Sequence, residues 1–288
     1  MAIFMQSQKM TQDKTMQITA LITLKFLLLS FCSNGQTTEQ LWLPDNDSLI
    51  HIQIETDSLF DSPQRINLLI VPGAYPHKYS IEFGYQKSEL LRTSQIAQNW
   101  NALAAINGGF FDMDGGGSVS YFEIDDSVIN RSKSPGIKWA VPDSLTNGAI
   151  ILYKNHILEI DSANLHQCYE DSKLEAFVMV SGPLLIKDAI LQDLPDMKFT
   201  NNRHPRTCLG INEESIIFVT IDGRSETAAG MNLFEVQNFL LDLGCQDAIN
   251  LDGGGSTSMW IKDKGLVNMP SDKTGERSVA NALIILEK

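Results

Sequence analysis

Three glycine-rich turns carry short polar side chains of the kinds that act in catalysis. They are Asn107-Gly108-Gly109-Phe110-Phe111-Asp112, Asp222-Gly223-Arg224 and Asn250-Leu251-Asp252-Gly253-Gly254-Gly255-Ser256-Thr257. Each turn follows an apolar run, so each is predicted to end a strand at the rim of a sheet, where glycine lets a ligand approach the backbone closely. A single turn of this kind is ordinary in hairpins. Three of them together indicate a site.

A fourth segment, His204-Pro205-Arg206-Thr207, supplies positive charge just before an apolar run that begins at Cys208. The planar guanidinium of Arg206 suits a phosphate or carboxylate, which suggests an anionic group in the ligand. A surface ion pair is an equally good interpretation of an arginine in an acidic chain. His204 could titrate near neutral pH, although a lone histidine before proline is more often structural or merely exposed.

Composition excludes several classes of protein. The 288 residues include 22 Lys and Arg against 35 Asp and Glu, a formal charge of −13. This balance predicts no binding to nucleic acid and no electrostatic attraction to an anionic membrane surface. With 43% apolar and 20% charged residues, the chain has the composition of a folded protein. Its four cysteines do not have zinc or redox spacing, so we predict no metal bound through thiolates.

The first 35 residues have the pattern of an export signal. A basic flank precedes a short apolar stretch, Ile18 to Cys32, which is shorter than a comfortable transmembrane span. Two processing routes stay open: a lipobox-like sequence that would place a lipid anchor on Cys32, and soluble cleavage near Ser33-Asn34-Gly35. A buried N-terminal helix is the competing interpretation. We therefore predict export, as a periplasmic protein, a cell-surface lipoprotein or a secreted protein, with a membrane contact only through the lipid.

Strands dominate the remainder of the chain. The apolar and alternating runs that predict strands are 49–54, 66–71, 79–85, 119–124, 149–160, 174–180, 207–212 and 215–221. The short connections at Lys154-Asn155, 212–214 and 263–265 have the composition of hairpin loops, so most pairing should be antiparallel. The predicted fold class is α+β: a single domain from about residue 40, built on a mostly antiparallel mixed sheet with a few packed helices.

Two helices are predicted. The stronger begins after Asn232, which stands at an N-cap with Glu235 at the capping-box position, and it ends before Gly244. Its apolar residues recur at helical spacing and so face the core. The weaker helix covers about 93–103 and leads into a strand that ends at Asn107.

Six motifs occur in an order that resembles one known family. They are Asn107 to Asp112, Ser181-Gly-Pro-Leu-Leu185, His204 to Thr207, Asp222-Gly-Arg224 with Gly230-Met231, Asn250 to Ser256, and Glu276-Arg277 with Val279-Ala-Asn-Ala282. Together they are similar to the phosphodiester glycosidase family. The resemblance implies a signal in 1–35, N-terminal strands in 36–100 that lead into the domain, and a phosphodiester glycosidase domain in 101–288.

The resemblance also implies hydrolysis of a sugar-1-phosphodiester, with N-acetylglucosamine as the expected sugar and a phosphorylated glycan as the expected partner. Such a reaction passes through an oxocarbenium-like transition state and releases a phosphomonoester, so it needs a carboxylate and anion-binding groups more than a strong acid. Asp222 and Asp252 are the predicted catalytic carboxylates, because each ends an apolar run and begins a glycine turn. Arg206 is the predicted phosphate clamp.

The other predicted ligands surround these three residues. Asn107 and Asn250 are assigned to sugar hydroxyls or the acetamido group, Arg224 to a second anion contact, and the backbone N–H groups of 253–256 to an anion-binding nest. The full predicted substrate-binding set is Asn107, Asp112, Ser181, His204, Thr207, Arg224, Asn250, Gly253, Gly254, Ser256 and Thr257.

Two other functions stay open from the sequence. A non-catalytic glycan-binding envelope protein would keep the amides and aromatics without needing both aspartates. A metal-dependent phosphodiesterase that cuts the P–O bond would need clustered Asp and His, and only one of five histidines, His204, adjoins a motif. No cofactor or metal is predicted, although oxygen ligands at Asp112, Asp114 or the Asp252 turn keep calcium as an alternative.

Overall fold

The largest sheet has seven strands, all of them antiparallel to their neighbours. The computed structural model describes residues 48–73, 76–86, 89–131 and 141–288. All of these lie in the unit Leu43–Lys288, and the predicted export signal lies outside the described residues. In spatial order the strands are β1 (Ile50–Leu59), β2 (Ser62–Pro72), β14 (Ser215–Ile221), β13 (Arg206–Ile211), β15 (Asp247–Asn250), β11 (Leu184–Lys187) and β12 (Ile190–Leu191).

Two five-stranded sheets and a two-stranded one complete the strand structure. One has the order β7 (Ser127–Asn130), β6 (Phe122–Ile124), β10 (Glu175–Ser181), β8 (Gly148–Tyr153) and β9 (Leu158–Ser162). The other has β17 (Gly265–Leu266), β16 (Met259–Ile261), β5 (Ala104–Asn107), β19 (Asn281–Glu287) and β3 (Tyr79–Tyr85). A short pair joins β18 (Ser278–Val279) to β4 (Leu91–Arg92). All of these pairs are antiparallel too, as the hairpin loops predicted.

Among the residues that the structure describes, helices are few and short. They are α1 (Thr93–Asn99), α2 (His166–Asp171), α3 (Lys198–Asn201) and α4 (Leu233–Asp242). Two 3-10 turns cover Asp143–Leu145 and Gly254–Ser256. The capping box predicted for α4 is present, because the Asn232 side chain accepts from the N–H of Glu235 at 2.9 Å and the Glu235 carboxylate accepts in return at 3.0 Å. Within the described ranges, no helix is long and apolar enough to cross a membrane.

One apolar core lies between the three large sheets. Its members include Leu69 and Phe218 of the seven-stranded sheet, Ile150 of the second sheet, and Ile106 and Leu283 of the third, all nearly inaccessible to solvent. The side chains that these strands bury in the core are mostly aliphatic with a few aromatic rings, and burial of their apolar surface is the main stabilising contribution to the fold. A mostly antiparallel α+β architecture is thus confirmed.

The strand ends that carry the candidate site meet at one edge of this core. Arg206 begins β13 opposite Ile221, the last residue of β14, and Cys208 lies opposite Asn250, the last residue of β15. Because these strands are antiparallel, the end of β14, the start of β13 and the end of β15 share an edge. In the neighbouring sheet β5 ends at Asn107.

Candidate active site

The four turns singled out in the sequence are in direct contact. The backbone N–H of Asp252 donates to the carbonyl oxygen of Gly108 at 3.1 Å, and that of Gly254 donates to Pro205 at 2.9 Å. The turn after β14 joins them, because a Cβ atom placed on Gly223 would lie 2.8 Å from the nitrogen of Pro205. Segments up to 145 residues apart therefore form one rim.

Asn107 holds the rim together from inside the protein. Its Nδ2 donates to the carbonyl oxygen of Asp252 at 2.6 Å, while its Oδ1 accepts from the Thr207 hydroxyl at 2.7 Å and from the Ser258 N–H at 3.1 Å. Asn107 and Thr207 are both fully buried. The prediction that these two side chains contact substrate is therefore corrected: they satisfy buried polar groups and fix the turns.

Asn250 has a similar structural role. Its Nδ2 donates to the carbonyl oxygens of Gly182 at 2.9 Å and Leu251 at 2.7 Å, and the side chain is fully buried. It therefore does not present an amide to a sugar, contrary to the prediction. Ser181, which precedes Gly182 at the end of β10, is buried as well, so its predicted substrate contact is not available in this structure.

Arg206 is also buried, and its guanidinium is used by the protein itself. Nε donates to the carbonyl oxygen of Met231 at 2.9 Å, and Nη2 donates to those of Phe199 at 2.7 Å and Asn202 at 3.0 Å. The side chain is 1% exposed, and burial lowers its pKa to about 10. The prediction of a phosphate clamp at Arg206 is therefore corrected, since this arginine joins three chain segments beneath the rim.

Asp222 lies buried at the end of β14. Both of its carboxylate oxygens accept from the N–H of Met269 at 3.0 Å, Oδ1 accepts from Asn268 at 3.3 Å, and Oδ2 lies 3.6 Å from Nε of Arg65. Its side chain is 2% exposed, and loss of water around the carboxylate raises its pKa to about 6 despite these partners. Asp222 thus organises the segment around residues 268 and 269.

Asp252 is the more accessible of the two carboxylates. It is partly exposed, accepts from the N–H of Gly253 at 3.0 Å, and is hydrogen-bonded by the Ser256 hydroxyl. Desolvation raises its pKa to about 6, while these two donors and the nearby charge of Arg277 act in the opposite direction. The carboxyl is therefore poised to change ionisation state close to neutral pH.

Two arginines pack on the glycine turn beside Asp252. A Cβ atom on Gly254 would lie 2.9 Å from Nη2 of Arg224, and one on Gly255 would lie 2.2 Å from Nη2 of Arg277. Any side chain at either glycine would collide with a guanidinium, so the turn must be glycine for both cations to reach it. Arg224 is exposed, and no ion pair or hydrogen bond engages its guanidinium among the described residues. Arg224 therefore places unpaired positive charge at this partly exposed turn, whereas the guanidinium of Arg277 is paired with Asp272 at 2.7 Å.

The predicted anion-binding nest is largely occupied. The N–H of Gly253 donates to the Asp252 carboxylate. The N–H of Gly254 donates to the carbonyl oxygen of Pro205, and that of Ser256 donates to the carbonyl oxygen of Gly253. The Ser256 and Thr257 side chains are buried, and the Ser256 hydroxyl contacts Asp252 and lies 3.5 Å from Nη1 of Arg277. These three N–H groups and the Ser256 hydroxyl are therefore used within the protein, contrary to the predicted nest, whereas the Thr257 hydroxyl is buried without a hydrogen-bond partner among the described residues.

His204 and Asp112 flank the rim. Burial and the charges of Arg206 and Arg224 lower the pKa of His204, so its imidazole is favoured in the neutral form. Asp112 is partly exposed and accepts from the N–H of Asp114 at 3.0 Å within its own turn. Among the residues that the structure describes, no three His, Cys, Asp or Glu side chains form a cluster that could hold a metal ion.

Sequence reasoning did not assign a role to three residues that shape the site. Arg277 belongs to the Glu276-Arg277 motif of the family resemblance, and this membership was the sequence signal that could have identified it as a site residue. Asn281 fixes the first turn, because its Oδ1 accepts from the N–H of Gly109 at 2.9 Å and its carbonyl oxygen accepts from that of Gly108 at 3.0 Å. Asn268, which links Asp222 to the carbonyl oxygen of Thr257 at 3.0 Å, lies in a loop without any such signal.

Comparison with known proteins shows what this arrangement is similar to. The family model described as phosphodiester glycosidase matches residues 101–286. The human N-acetylglucosamine-1-phosphodiester alpha-N-acetylglucosaminidase is 27% identical over 204 residues, which cover 62% of this chain and 35% of that protein. A Bacillus subtilis protein, the SPbeta prophage-derived uncharacterized protein YomE, is 35% identical over 86 residues, 30% of this chain and 13% of that one. The chain thus matches only a minor part of either relative.

Solved structures share the fold. The zebrafish N-acetylglucosamine-1-phosphodiester alpha-N-acetylglucosaminidase catalytic domain, auto-inhibited by its pro-peptide, superposes with a TM-score of 0.64 at 22% identity, covering 90% of this chain and 86% of that one. A hypothetical protein from Synechocystis gives a TM-score of 0.57 at 15% identity, with 83% of this chain and 62% of that one covered.

Proposed function

The chain belongs to the phosphodiester glycosidase family, and from this premise we propose that it hydrolyses a sugar-1-phosphodiester to a free sugar and a phosphomonoester. The expected sugar is N-acetylglucosamine in α linkage, the group named in the relatives' activity. A phosphorylated glycan is the corresponding class of substrate. The apolar stretch 18–32 supports the further proposal that the protein acts after export, on a glycan outside the cytoplasm.

The proposal depends on one observation: a carboxylate with a raised pKa lies beside two arginines on a single, partly exposed glycine turn. Asp252 has a pKa raised to about 6. Arg224 packs on Gly254 and Arg277 packs on Gly255, two and three residues further along the same turn. A sugar-1-phosphodiester places one negative charge on the phosphate oxygens, three bonds from the anomeric carbon. A cation and a carboxylate on the same turn match the two ends of that group.

The chemistry follows from these charges. Arg224 and Arg277 bind the diester phosphate in the ground state and in the transition state alike, and Arg224 also stabilises the negative charge that grows on the leaving oxygen as the bond from C1 breaks. The ionised carboxylate of Asp252 stabilises the positive charge on C1 and takes a proton from the attacking water. The water oxygen bonds to C1, and the electron pair of the broken bond leaves with the phosphomonoester. No strong general acid is required for that leaving group.

Asp222 supports this arrangement without touching the substrate. Its buried carboxylate binds the N–H of Met269 and the amide of Asn268, and Asn268 in turn accepts from the N–H of Met259 at 2.8 Å. The loop that leads to Arg277 is thereby attached to the strand that follows the glycine turn. We assign Asp222 a positioning role and Asp252 the catalytic one.

Isotope labelling tests the proposed reaction. Methyl N-acetylglucosamine-α-1-phosphodiester is incubated with the full chain in water enriched in oxygen-18, and the products are identified by mass spectrometry. Free sugar that carries the label, together with unlabelled methyl phosphate, is the expected result. Label in the phosphate would identify a phosphodiesterase that cuts the P–O bond, and binding without turnover would identify a glycan-binding protein. Either of these two outcomes overturns the proposal.

A matched pair of variants connects the reaction to the site. Asp252→Asn keeps the size of the side chain and its acceptor for the N–H of Gly253, but it removes the charge, so kcat should fall by a factor on the order of 100 or more. Asp242→Asn removes an exposed carboxylate at the last residue of α4, which has no assigned role in the site, and serves as the control. A fall of similar size in both variants would refute the specific assignment of Asp252.

A further inference from the structure

Glu276 binds the start of a helix that is remote in the sequence. Its Oε1 accepts from the backbone N–H of Ser94 at 2.8 Å, and its Oε2 accepts from the Ser94 hydroxyl at 2.6 Å. Ser94 lies in the first turn of α1, where backbone N–H groups lack partners within the helix and favour a negative charge. The carboxylate thus forms a two-point connection between the loop before β18 and α1.

The other side of Arg277 is fixed to the same segment. Ser278 and Val279 of β18 pair with Arg92 and Leu91 of β4, which immediately precede α1. The residues on both sides of Arg277 are therefore attached to positions 91–94. This leaves little freedom for the backbone of Arg277 itself.

The side chain of Arg277 continues from this anchored backbone to the glycine turn. Its Nε and Nη2 lie 2.8 and 2.7 Å from Oδ2 of Asp272, and Nη1 lies 3.5 Å from the Ser256 hydroxyl. An arginine side chain loses rotamer entropy when it is held in one geometry. Fixing its backbone and one edge of its guanidinium before a ligand arrives reduces the entropy that binding must remove.

We propose that Glu276 is a positioning residue: its two bonds to Ser94 hold Arg277 over Gly255, where the guanidinium receives the phosphate of the substrate. This inference rests on the proposed function, because it takes the phosphodiester as the ligand. Glu276 acts through Arg277 and does not contact the substrate. Its loss should therefore weaken phosphate binding while it leaves the chemistry at Asp252 largely intact.

A double-mutant cycle tests the connection. Glu276→Ala should raise KM for the methyl phosphodiester about tenfold, the size expected for one weakened charge-assisted contact, with kcat within about threefold. Arg277→Gln should raise KM at least as much, and the double variant should bind no more weakly than Arg277→Gln alone, because the two residues act as one unit. Independent, multiplicative effects of the two substitutions would overturn the proposal, as would an unchanged KM in Glu276→Ala.

Two further variants separate positioning from general destabilisation. Glu276→Gln should restore most of the affinity, because the amide oxygen can accept from the Ser94 N–H while the amide nitrogen donates to the Ser94 hydroxyl. Glu170→Ala, which removes the bidentate partner of Arg131 on α2, should leave KM unchanged. If Glu276→Ala does not fold, Ser94→Ala weakens the same connection from the other side and should give a smaller rise in KM. A KM unchanged in Ser94→Ala would then overturn the proposal.

Binding of methyl phosphate by the same variants distinguishes this inference from the proposed reaction. Calorimetry gives the Kd of methyl phosphate for the wild type and for each variant of the double-mutant cycle, and this measurement does not require the protein to be catalytically active. If the wild type binds methyl phosphate, the variants give a non-additive cycle and the diester is not cleaved, then the positioning role of Glu276 stands and the proposed function is wrong. If the wild type cleaves the diester but the cycle is additive, then the proposed function stands and the positioning role of Glu276 is wrong. Failure of the wild type to bind methyl phosphate overturns the positioning role.

Discussion

The pKa of Asp252 predicts how the reaction rate depends on pH. If the ionised carboxylate takes the proton of the attacking water, kcat/KM follows the ionised fraction of this group. With a pKa of about 6, roughly nine-tenths of the molecules are ionised at pH 7 and roughly one-tenth at pH 5. The rate should therefore fall about tenfold between these two pH values. An aspartate with the ordinary value of 3.8 would lose less than about a tenth of its rate over the same interval.

Unfolding does not account for this loss of rate. Because burial raises the pKa of Asp252 above its value in the unfolded chain, the folded state binds more protons between pH 4 and 6. The contribution of this group to the free energy of unfolding therefore increases as the pH falls through that window. Circular dichroism at pH 5 provides the check that the protein remains folded while the rate decreases.

The assay is the initial rate of methyl phosphate release between pH 4.5 and 8, with Asp252→Asn as the control. The wild type should show an acid limb with a midpoint near 6, and the residual activity of the variant should lack this limb. A folded wild type whose rate at pH 5 stays within twofold of that at pH 7 would refute the reasoning. A rate that instead rises as the pH falls would assign the carboxyl as an acid.

Three other predictions concern the turn and the groups beneath it. Gly255→Ala places a methyl group 2.2 Å from Nη2 of Arg277 and 2.3 Å from Oδ1 of Asp272, so this ion pair must shift; steady-state kinetics should show KM rising about tenfold with kcat nearly unchanged. Gly265→Ala meets no atom within 4 Å and should leave KM as it is, although its φ of +77° makes the variant less stable. Arg206→Lys should lower the free energy of unfolding by roughly 2 to 4 kcal/mol, because a lysine cannot serve the same three carbonyl oxygens; an unchanged denaturant midpoint would argue against that structural role. Asp252→Asn should raise the free energy of unfolding by about 3 kcal/mol at pH 7.5, the equivalent of the pKa shift from 3.8 to about 6, and by much less at pH 4, because the desolvated charge is removed only where the wild type is ionised; equal effects at both pH values would contradict the raised pKa.

Local sequence patterns were sufficient for much of the fold. The run 79–85 is strand β3 and 215–221 is strand β14 with the predicted bounds. The predicted weak helix at 93–103 ends earlier, at Asn99, because Asn101 adopts a left-handed conformation that terminates α1. Alternation of apolar residues, capping boxes and hairpin composition depend on neighbours in the chain, so the sequence contains these signals directly.

The sequence by itself also determined which turns belong together, because glycine beside acid, amide and arginine at four strand ends is a local pattern. Only the tertiary structure decided which of those polar side chains face solvent. Asn107, Asn250 and Arg206 have the chemistry of ligands, yet all three are buried and bind backbone carbonyls of other segments. Whether a polar group meets a substrate or another part of the chain depends on what packs over it. That is set by contacts between residues far apart in the sequence, which no local pattern contains.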